Sequence, residues 1–265
     1  MKIVSLCPSN TELVEALGLT ESLIAVDDYS DFPESVQNLT KLGPDLSINI
    51  DLVESLQPDL VLSSLSVPGM EKNIEELDRR GIPHTIFNPQ SIADIKEDLL
   101  TLGKLTGVED HARKVCQDIE DVLTECKRIS AQLTETPSIY WEWWPNPIFT
   151  PGSVNWLTEI SELAGATNVF RDVELASVQT DWNDVCNRKP DHICLAWVGV
   201  QISRVNPAVV KKRPGSSELD AVRENRIHIL EEELYCRPSP RLIKGLIRLG
   251  KLLHPDAYNH LESPF

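Results

Sequence analysis

The sequence predicts an α/β fold made of two Rossmann-like lobes with parallel sheets, bridged by one long α-helix. Three observations carry this expectation. The segment Thr11-Glu12-Leu13-Val14-Glu15-Ala16-Leu17-Gly18 returns as Thr158-Glu159-Ile160-Ser161-Glu162-Leu163-Ala164-Gly165. The segment Asp51 to Leu62, with Pro58-Asp59 ahead of an apolar strand, has a fainter echo from Asn183 to Leu195, with Pro190-Asp191. Between the copies, residues 109–133 lack Pro and Gly and repeat apolar side chains at helical spacing. Each copy reads strand, loop, helix closed by Gly, then helix, Pro-Asp, strand, and such alternation implies a parallel sheet. The expected division is 1–105 for the first lobe, 106–136 for the bridging helix and 137–265 for the second lobe.

Each element has a local reason. Ile3 to Leu6 is a short apolar strand. Pro8-Ser9-Asn10-Thr11 starts a helix, with Ser9 or Asn10 as cap, Glu12 in its first turn and Gly18 closing it. Leu23 to Val26 is a second strand, and Asp27 to Pro33 a polar loop containing Tyr29 and Phe32. Asn49 caps a helix that Pro58 ends, and Leu60-Val61-Leu62 is a buried strand. Glu71 to Arg80 is a helix closed by Gly81, Pro83 to Phe87 a strand, and Ser91 to Leu105 a helix. At about 1.5 Å per residue, the 109–133 stretch makes a helix on the order of 37 Å long. The second lobe opens with Ile139-Tyr140-Trp141-Glu142-Trp143-Trp144-Pro145-Asn146-Pro147, followed by a helix from Asn155 to Leu163. Arg226 to Leu230 is a late strand, and a final helix runs to His254-Pro255, with Ser239 as cap and Pro240 as its first residue.

Composition narrows the function. The 41 acidic residues outnumber the 25 basic ones, for a net charge of −16. Nucleic acid and anionic membrane surfaces both call for Lys and Arg, so neither is an expected partner. No apolar run reaches the roughly 18 residues of a membrane span. The Ile3-Val4 pair after Lys2 is too short for a secretory core. The sequence as written therefore reads as cytoplasmic, or as periplasmic if Met1 replaces a removed signal. Cys7, Cys116, Cys126, Cys186, Cys194 and Cys236 are scattered without a C-x-x-C pair, which suits buried reduced thiols; a monomer is expected.

The familiar catalytic and phosphate-binding motifs are missing, and no histidines have ligand-like spacing. His192 and His84 fall in strands and read as structural. Acidic pairs such as Asp27-Asp28 read as solvated surface. The expectation is a binding protein without catalytic cofactor or metal. Aromatic placement points the same way. Trp141, Trp143 and Trp144 stand where a strand runs into a Pro-rich loop, Trp197 follows another strand, and Tyr29 and Tyr235 occupy comparable loops. Open α/β sheets bind ligands beyond the carboxyl ends of their strands. Large aromatics there suit a bulky, partly apolar, ring-containing ligand. Strand alternation puts Trp141 and Trp143 on one face, and at least one ring of the cluster is expected in the core.

Five segments in order then carry a resemblance: Ser5 to Glu12, Asp28 to Pro33, Asn49-Ile50-Asp51 through Val61, Asn146 to Gly152, and Arg237 to Arg241. On them the chain resembles the solute-binding proteins of vitamin B12 and iron-siderophore ABC importers, most closely the cobalamin-binding receptors. That resemblance implies the helical-backbone architecture of periplasmic-binding-protein-like receptors, with cobalamin or a related corrinoid held between the lobes. It implies ligand contacts from Tyr29, from Ser64, Leu65 and Ser66 after the first Pro-Asp strand, and from Trp143, Trp144 and Phe149 in the second lobe. Trp197, Tyr235 and Arg237 complete the expected set. A Trp that the cobalamin receptors carry near position 64 is replaced by Ser. The resemblance also implies one acidic residue per lobe for docking an ABC permease: Asp51 in the first, and Asp184 beside the matching slot at Asn183 in the second. An iron-siderophore or haem receptor is the alternative, with Arg204, Arg237 and Arg241 available for an anionic chelate. A cytoplasmic enzyme or regulatory module reusing the scaffold is a further one, with Cys7 and Cys236 as the thiols to examine.

Overall fold

A computed structural model describes residues 1–265, which fall into two compact units, Met1–Asp118 and Ile119–Phe265. In the first unit, β1 (Ile3–Ser5), β2 (Leu23–Val26), β3 (Thr40–Lys41), β4 (Leu60–Ser64) and β5 (His84–Phe87) form one sheet in the order β3-β2-β1-β4-β5. All its neighbours are parallel. Helices α1 (Pro8–Ala16), α2 (Ile50–Leu56), α3 (Glu71–Arg80) and α4 (Ile92–Thr106) connect and follow these strands. Val4, Leu6, Ala25, Val53, Val61 and Leu77 form the centre of a core. The long α5 (Glu109–Ser130) contains the boundary between the units. Its first half packs on α4 through Gly103, where a Cβ would lie 2.5 Å from that of Ala112, so only glycine admits the approach.

The second unit has a four-stranded parallel sheet in the order β12-β11-β6-β9, built from β6 (Ser138–Glu142), β9 (Thr167–Asn168), β11 (His192–Leu195) and β12 (Ile227–Ile229). A separate three-stranded antiparallel sheet, β7 (Trp144–Pro145), β8 (Ile148–Pro151) and β10 (Ser177–Thr180), extends from the end of β6. It is an addition to the two parallel sheets that were expected. Asn146 and Pro147 turn the chain back between β7 and β8, and a hairpin pairs antiparallel. Helices α6 (Trp156–Leu163), α7 (Trp182–Arg188), α8 (Ala208–Lys211), α9 (Asp220–Arg223), α10 (Glu232–Tyr235), α11 (Leu242–Leu253) and α12 (Pro255–Tyr258) complete the unit.

The two copies agree in detail. After α1, the Gly18 amide donates to Glu15 O and that of Leu19 to Val14 O; after α6, the Gly165 amide donates to Glu162 O and that of Ala166 to Ser161 O. Both glycines have positive φ, 68° and 76°, which the closing turn requires. Asn49 caps α2 by accepting from Leu52 N, and Asp181 caps α7 by accepting from Asp184 N. Both helices then end on a left-handed residue, Gln57 and Lys189, ahead of Pro-Asp. In each copy the Asp carboxylate accepts a strand-leading amide: Lys2 N on Asp59 at 2.7 Å, Ser138 N on Asp191 at 2.8 Å. The duplication is thus a repeated hydrogen-bonded unit.

Some boundaries differ from expectation. The residue capping α1 is Cys7, with Pro8 as first helical residue and no side-chain cap bond. Proline presets φ for the first turn, which draws the start forward and leaves Ser9 and Asn10 inside the helix. The last long helix begins at Leu242, after Ser239 and Pro240 have formed a separate turn that returns the Leu242 amide to Ser239 O. Helix α5 stops at Ser130, and residues to Leu133 continue as a turn.

Candidate functional site

Each unit brings loops together at the carboxyl ends of its strands, and each has a switch point there: β1 lies between β2 and β4, and β6 between β9 and β11. In the first unit this end is rich in hydroxyls. Ser5 Oγ lies 2.8 Å from Thr11 Oγ1, which lies 2.7 Å from Ser30 Oγ, and Ser30 Oγ lies 2.5 Å from Asp27 Oδ1. The other Asp27 oxygen accepts the Tyr29 amide at 2.8 Å. Lys41 Nζ donates to the carbonyls of Ser30 and Asp27, tying the loop to β3. Asp27 is fully buried whereas Asp28 is exposed, which corrects the reading of that pair as surface. Burial pushes the Asp27 carboxyl up to about 6, against the opposing pull of the Ser30 hydroxyl and the Tyr29 amide. On this braced loop Tyr29 is 52% exposed.

Ser64 is buried, and its hydroxyl donates to Ser66 Oγ while accepting the Ser66 amide, so the loop after β4 is held by its own side chains. Leu65 projects outward, 38% exposed. Burial holds the Cys7 thiol near 11, so this cysteine is not poised as a thiolate nucleophile.

The second unit places a carboxylate at the equivalent end of its sheet but satisfies it differently. Glu142, fully buried at the end of β6, accepts from both terminal nitrogens of Arg213 at 2.5 and 3.0 Å, from the Tyr140 hydroxyl at 2.8 Å and from the Trp197 indole at 3.1 Å. The Arg213 guanidinium lies 4.7 Å from the centre of the Trp182 ring. Neither Arg213 nor Trp182 carried a sequence signal, because both reach the strand end from separate loops and helices.

The structure separates the expected aromatics. Trp144 is exposed at the turn of the β7–β8 hairpin, its indole donating to Asn146 O. Phe149, half-buried, sits opposite it in the register. Trp143 is half-buried, with its ring 6.3 Å from that of Trp156, and its indole nitrogen is buried without a partner. Trp141 is entirely buried, packed against Tyr235 and bonded to Ser161, which makes it the core ring of the cluster.

Three expected ligand residues need correction. Tyr235 has no exposed surface; its hydroxyl donates to Gly245 O and its ring lies 5.4 Å from Trp141, so it serves the core. Trp197 is 8% exposed and anchored on Glu142, so what its loop offers at the surface is Val198 and Gly199. Arg237 is largely buried and paired with Glu232. The matching caps confirm Asn183 as the positional counterpart of Asp51. Asp51 is exposed and receives a bond from Arg80 at 2.6 Å. Asp184 is engaged by Arg188 and Thr180 and leaves 43% of its side chain exposed against 85% for Asp51, which argues against its use as a docking carboxylate. Burial also pushes the Cys236 thiol far above its usual range. His192 Nδ1 and His228 Nε2 lie within hydrogen-bond distance, 2.9 Å, across β11 and β12; burial lowers His192 to about 4 and lowers His228 as well, keeping the pair neutral near pH 7. No helix is long and apolar enough to cross a membrane.

Comparison with known proteins places this geometry. Residues 3–234 match the periplasmic binding protein family. An uncharacterised ABC transporter substrate-binding lipoprotein of Bacillus subtilis is 32% identical, over 97% of this chain and 81% of the relative. A vitamin B12-binding protein of Vibrio parahaemolyticus is 26% identical, over 94% of this chain and 87% of the relative. Among solved structures, a possible iron-binding, periplasmic solute-binding protein of Staphylococcus epidermidis superposes with a TM-score of 0.81 at 25% identity, covering 96% of this chain and 98% of the other.

Proposed function

We propose that this chain, which belongs to the periplasmic binding protein family, is the substrate-binding component of an ABC importer and that its ligand is cobalamin or a related corrinoid. The observation that carries the reading is exposed aromatic surface in each unit, Tyr29 in the first and Trp144 beside half-buried Phe149 in the second, in a chain similar over most of its length to a vitamin B12-binding protein. A corrin ring presents a broad, partly apolar plane, and rigid aromatics bury such a plane with little loss of side-chain freedom. The strand-end loops of each unit supply contacts, with Leu65 adding aliphatic surface. Nothing in this reading involves bond chemistry. A permease is the expected partner, with Asp51 exposed for it. An importer's receptor meets its ligand before the membrane, so the working protein belongs outside it.

Calorimetric titration with cyanocobalamin tests the proposal. Binding in the micromolar range or tighter is expected, and Tyr29→Ala or Trp144→Ala should each weaken it by about 1–3 kcal/mol, as aromatic anchors do. No heat at tens of micromolar rejects the corrinoid. The similarity to a possible iron-binding protein favours an iron chelate as second reading. Exposed Arg204 is the residue to mutate in that case, because an anionic chelate needs a cation and a corrin face does not.

A further inference from the structure

We infer that Asp27 is a positioning residue for the Tyr29 loop, and that one proton gained or lost at its carboxyl switches the loop between a held and a loosened form. The geometry is a line of hydroxyls with a carboxyl at one end and a backbone carbonyl at the other. Ser5 Oγ is 3.0 Å from Cys7 O, and the line runs on through Thr11 and Ser30 to Asp27. Each hydroxyl has one proton to donate. If Asp27 is ionised, Ser30 donates to it and Thr11 donates to Ser30, while Ser5 donates to Cys7 O. If Asp27 is neutral, its own proton goes to Ser30, Ser30 donates to Thr11, Thr11 to Ser5, and Ser5 to Cys7 O. The Thr11–Ser30 contact can run either way, and in both arrangements every hydroxyl proton is donated, so the network accepts either charge state. A buried carboxylate paired with a single guanidinium has no such second solution.

The charge matters because the same carboxyl holds the loop. Its second oxygen accepts the Tyr29 amide at 2.8 Å, two residues away. A bond to an ionised acceptor is roughly twice as strong as one to a neutral acceptor. Few groups oppose or assist the titration. Lys41 on β3 favours the ion, Asp45 on the loop after β3 disfavours it, and Cys7 ahead of α1 stays protonated. Burial places the transition near pH 6, where the ionised form grips the loop above it and the neutral form releases it below. Asp27→Asn reproduces the neutral form, since its amide donates to Ser30 as the protonated carboxyl does.

The test has one arm that needs no ligand. The Asp27 carboxyl carbon is followed by NMR in the free protein from pH 4 to 8, together with amide exchange of Tyr29 corrected for its intrinsic rate. The expected result is a midpoint near 6, with Tyr29 protection about tenfold lower on the acid side. Asp27→Asn should show the low protection throughout. A midpoint near 4, or protection that does not follow the midpoint, overturns the inference in the wild-type protein alone, whether or not the variant folds. The second arm rests on the corrinoid reading: cyanocobalamin affinity should fall about three- to tenfold between pH 7.5 and 5, and Asp27→Asn should abolish that dependence. A constant affinity alongside a switching loop overturns the link between this loop and the ligand. Failure of cyanocobalamin to bind at pH 7.5 counts against the corrinoid, and the free-protein titration then decides the inference.

Discussion

Two buried carboxylates stand at the strand ends of the two units, and they are held by opposite means. Asp27 is surrounded by hydroxyls and amides, with Lys41 reaching only the neighbouring carbonyls. Glu142 is clasped by a guanidinium, a phenol and an indole. Hydroxyls can reverse their donation, so the first site tolerates a neutral carboxyl. A guanidinium only donates, so the second arrangement makes sense only around an anion. The contrast teaches that a duplicated scaffold conserved its backbone bonds while its strand-end chemistry diverged. One face is built to respond to protons and the other to stay put. Asp98, on α4, is a third case: one of its oxygens is buried with no partner, and burial pushes its carboxyl up to about 7.

Removing the clasp tests this contrast most severely. Arg213→Ala leaves Glu142 buried without its cation and should cost about 3–5 kcal/mol of unfolding free energy, read from denaturant melts. A loss below about 1 kcal/mol would mean that the guanidinium is dispensable, and the contrast would collapse. Asp98 gives a smaller effect of opposite sign. Its raised folded value means that its favourable contribution is complete below the unfolded value near 4 and is lost as pH rises through about 7. Asp98→Asn should therefore stabilise the protein at pH 8 by about 1–2 kcal/mol, discounted for its partial solvent contact, and leave it unchanged near pH 4. Equal effects at both pH values would show that the carboxyl does not titrate as its surroundings dictate. The smallest change separates hydroxyls inside the network from one outside it. Thr150 is fully buried with its hydroxyl unpartnered, so Thr150→Val should be neutral or stabilising by about 0.5 kcal/mol. Thr11→Val, which cuts the hydroxyl line, should cost about 1–2 kcal/mol in the same assay. Similar costs for both would mean that the network adds nothing beyond burial.

Much of this was readable in the chain. Gly18, Gly81 and Gly165 mark helix ends because the closing turn needs φ above zero, and such a signal is local. Pro58-Asp59 and Pro190-Asp191 mark strand starts for the same kind of reason: proline ends a helix, and the following acid can reach back to a strand amide. Sequence therefore determined the repeated elements, the two parallel sheets and the long helix. The site was only half visible. Tyr29 sits in a loop and Trp144 and Phe149 in a short hairpin, and all three keep part of their surface exposed. Trp197 and Tyr235 follow strands in the same way, yet fold inward. Their inward course depends on Glu142 and Trp141, both far away in sequence, and on Gly245 in the next long helix, and no local pattern announces such partners. The charge state of Asp27 belongs to the same class. An Asp-Asp pair looks like surface until α1 and β3 close over one member and leave the other in water. Turn geometry is set by neighbouring residues and so survives in the sequence, whereas burial and hydrogen-bond partnership are properties of the assembled unit, because they depend on which distant atoms displace water.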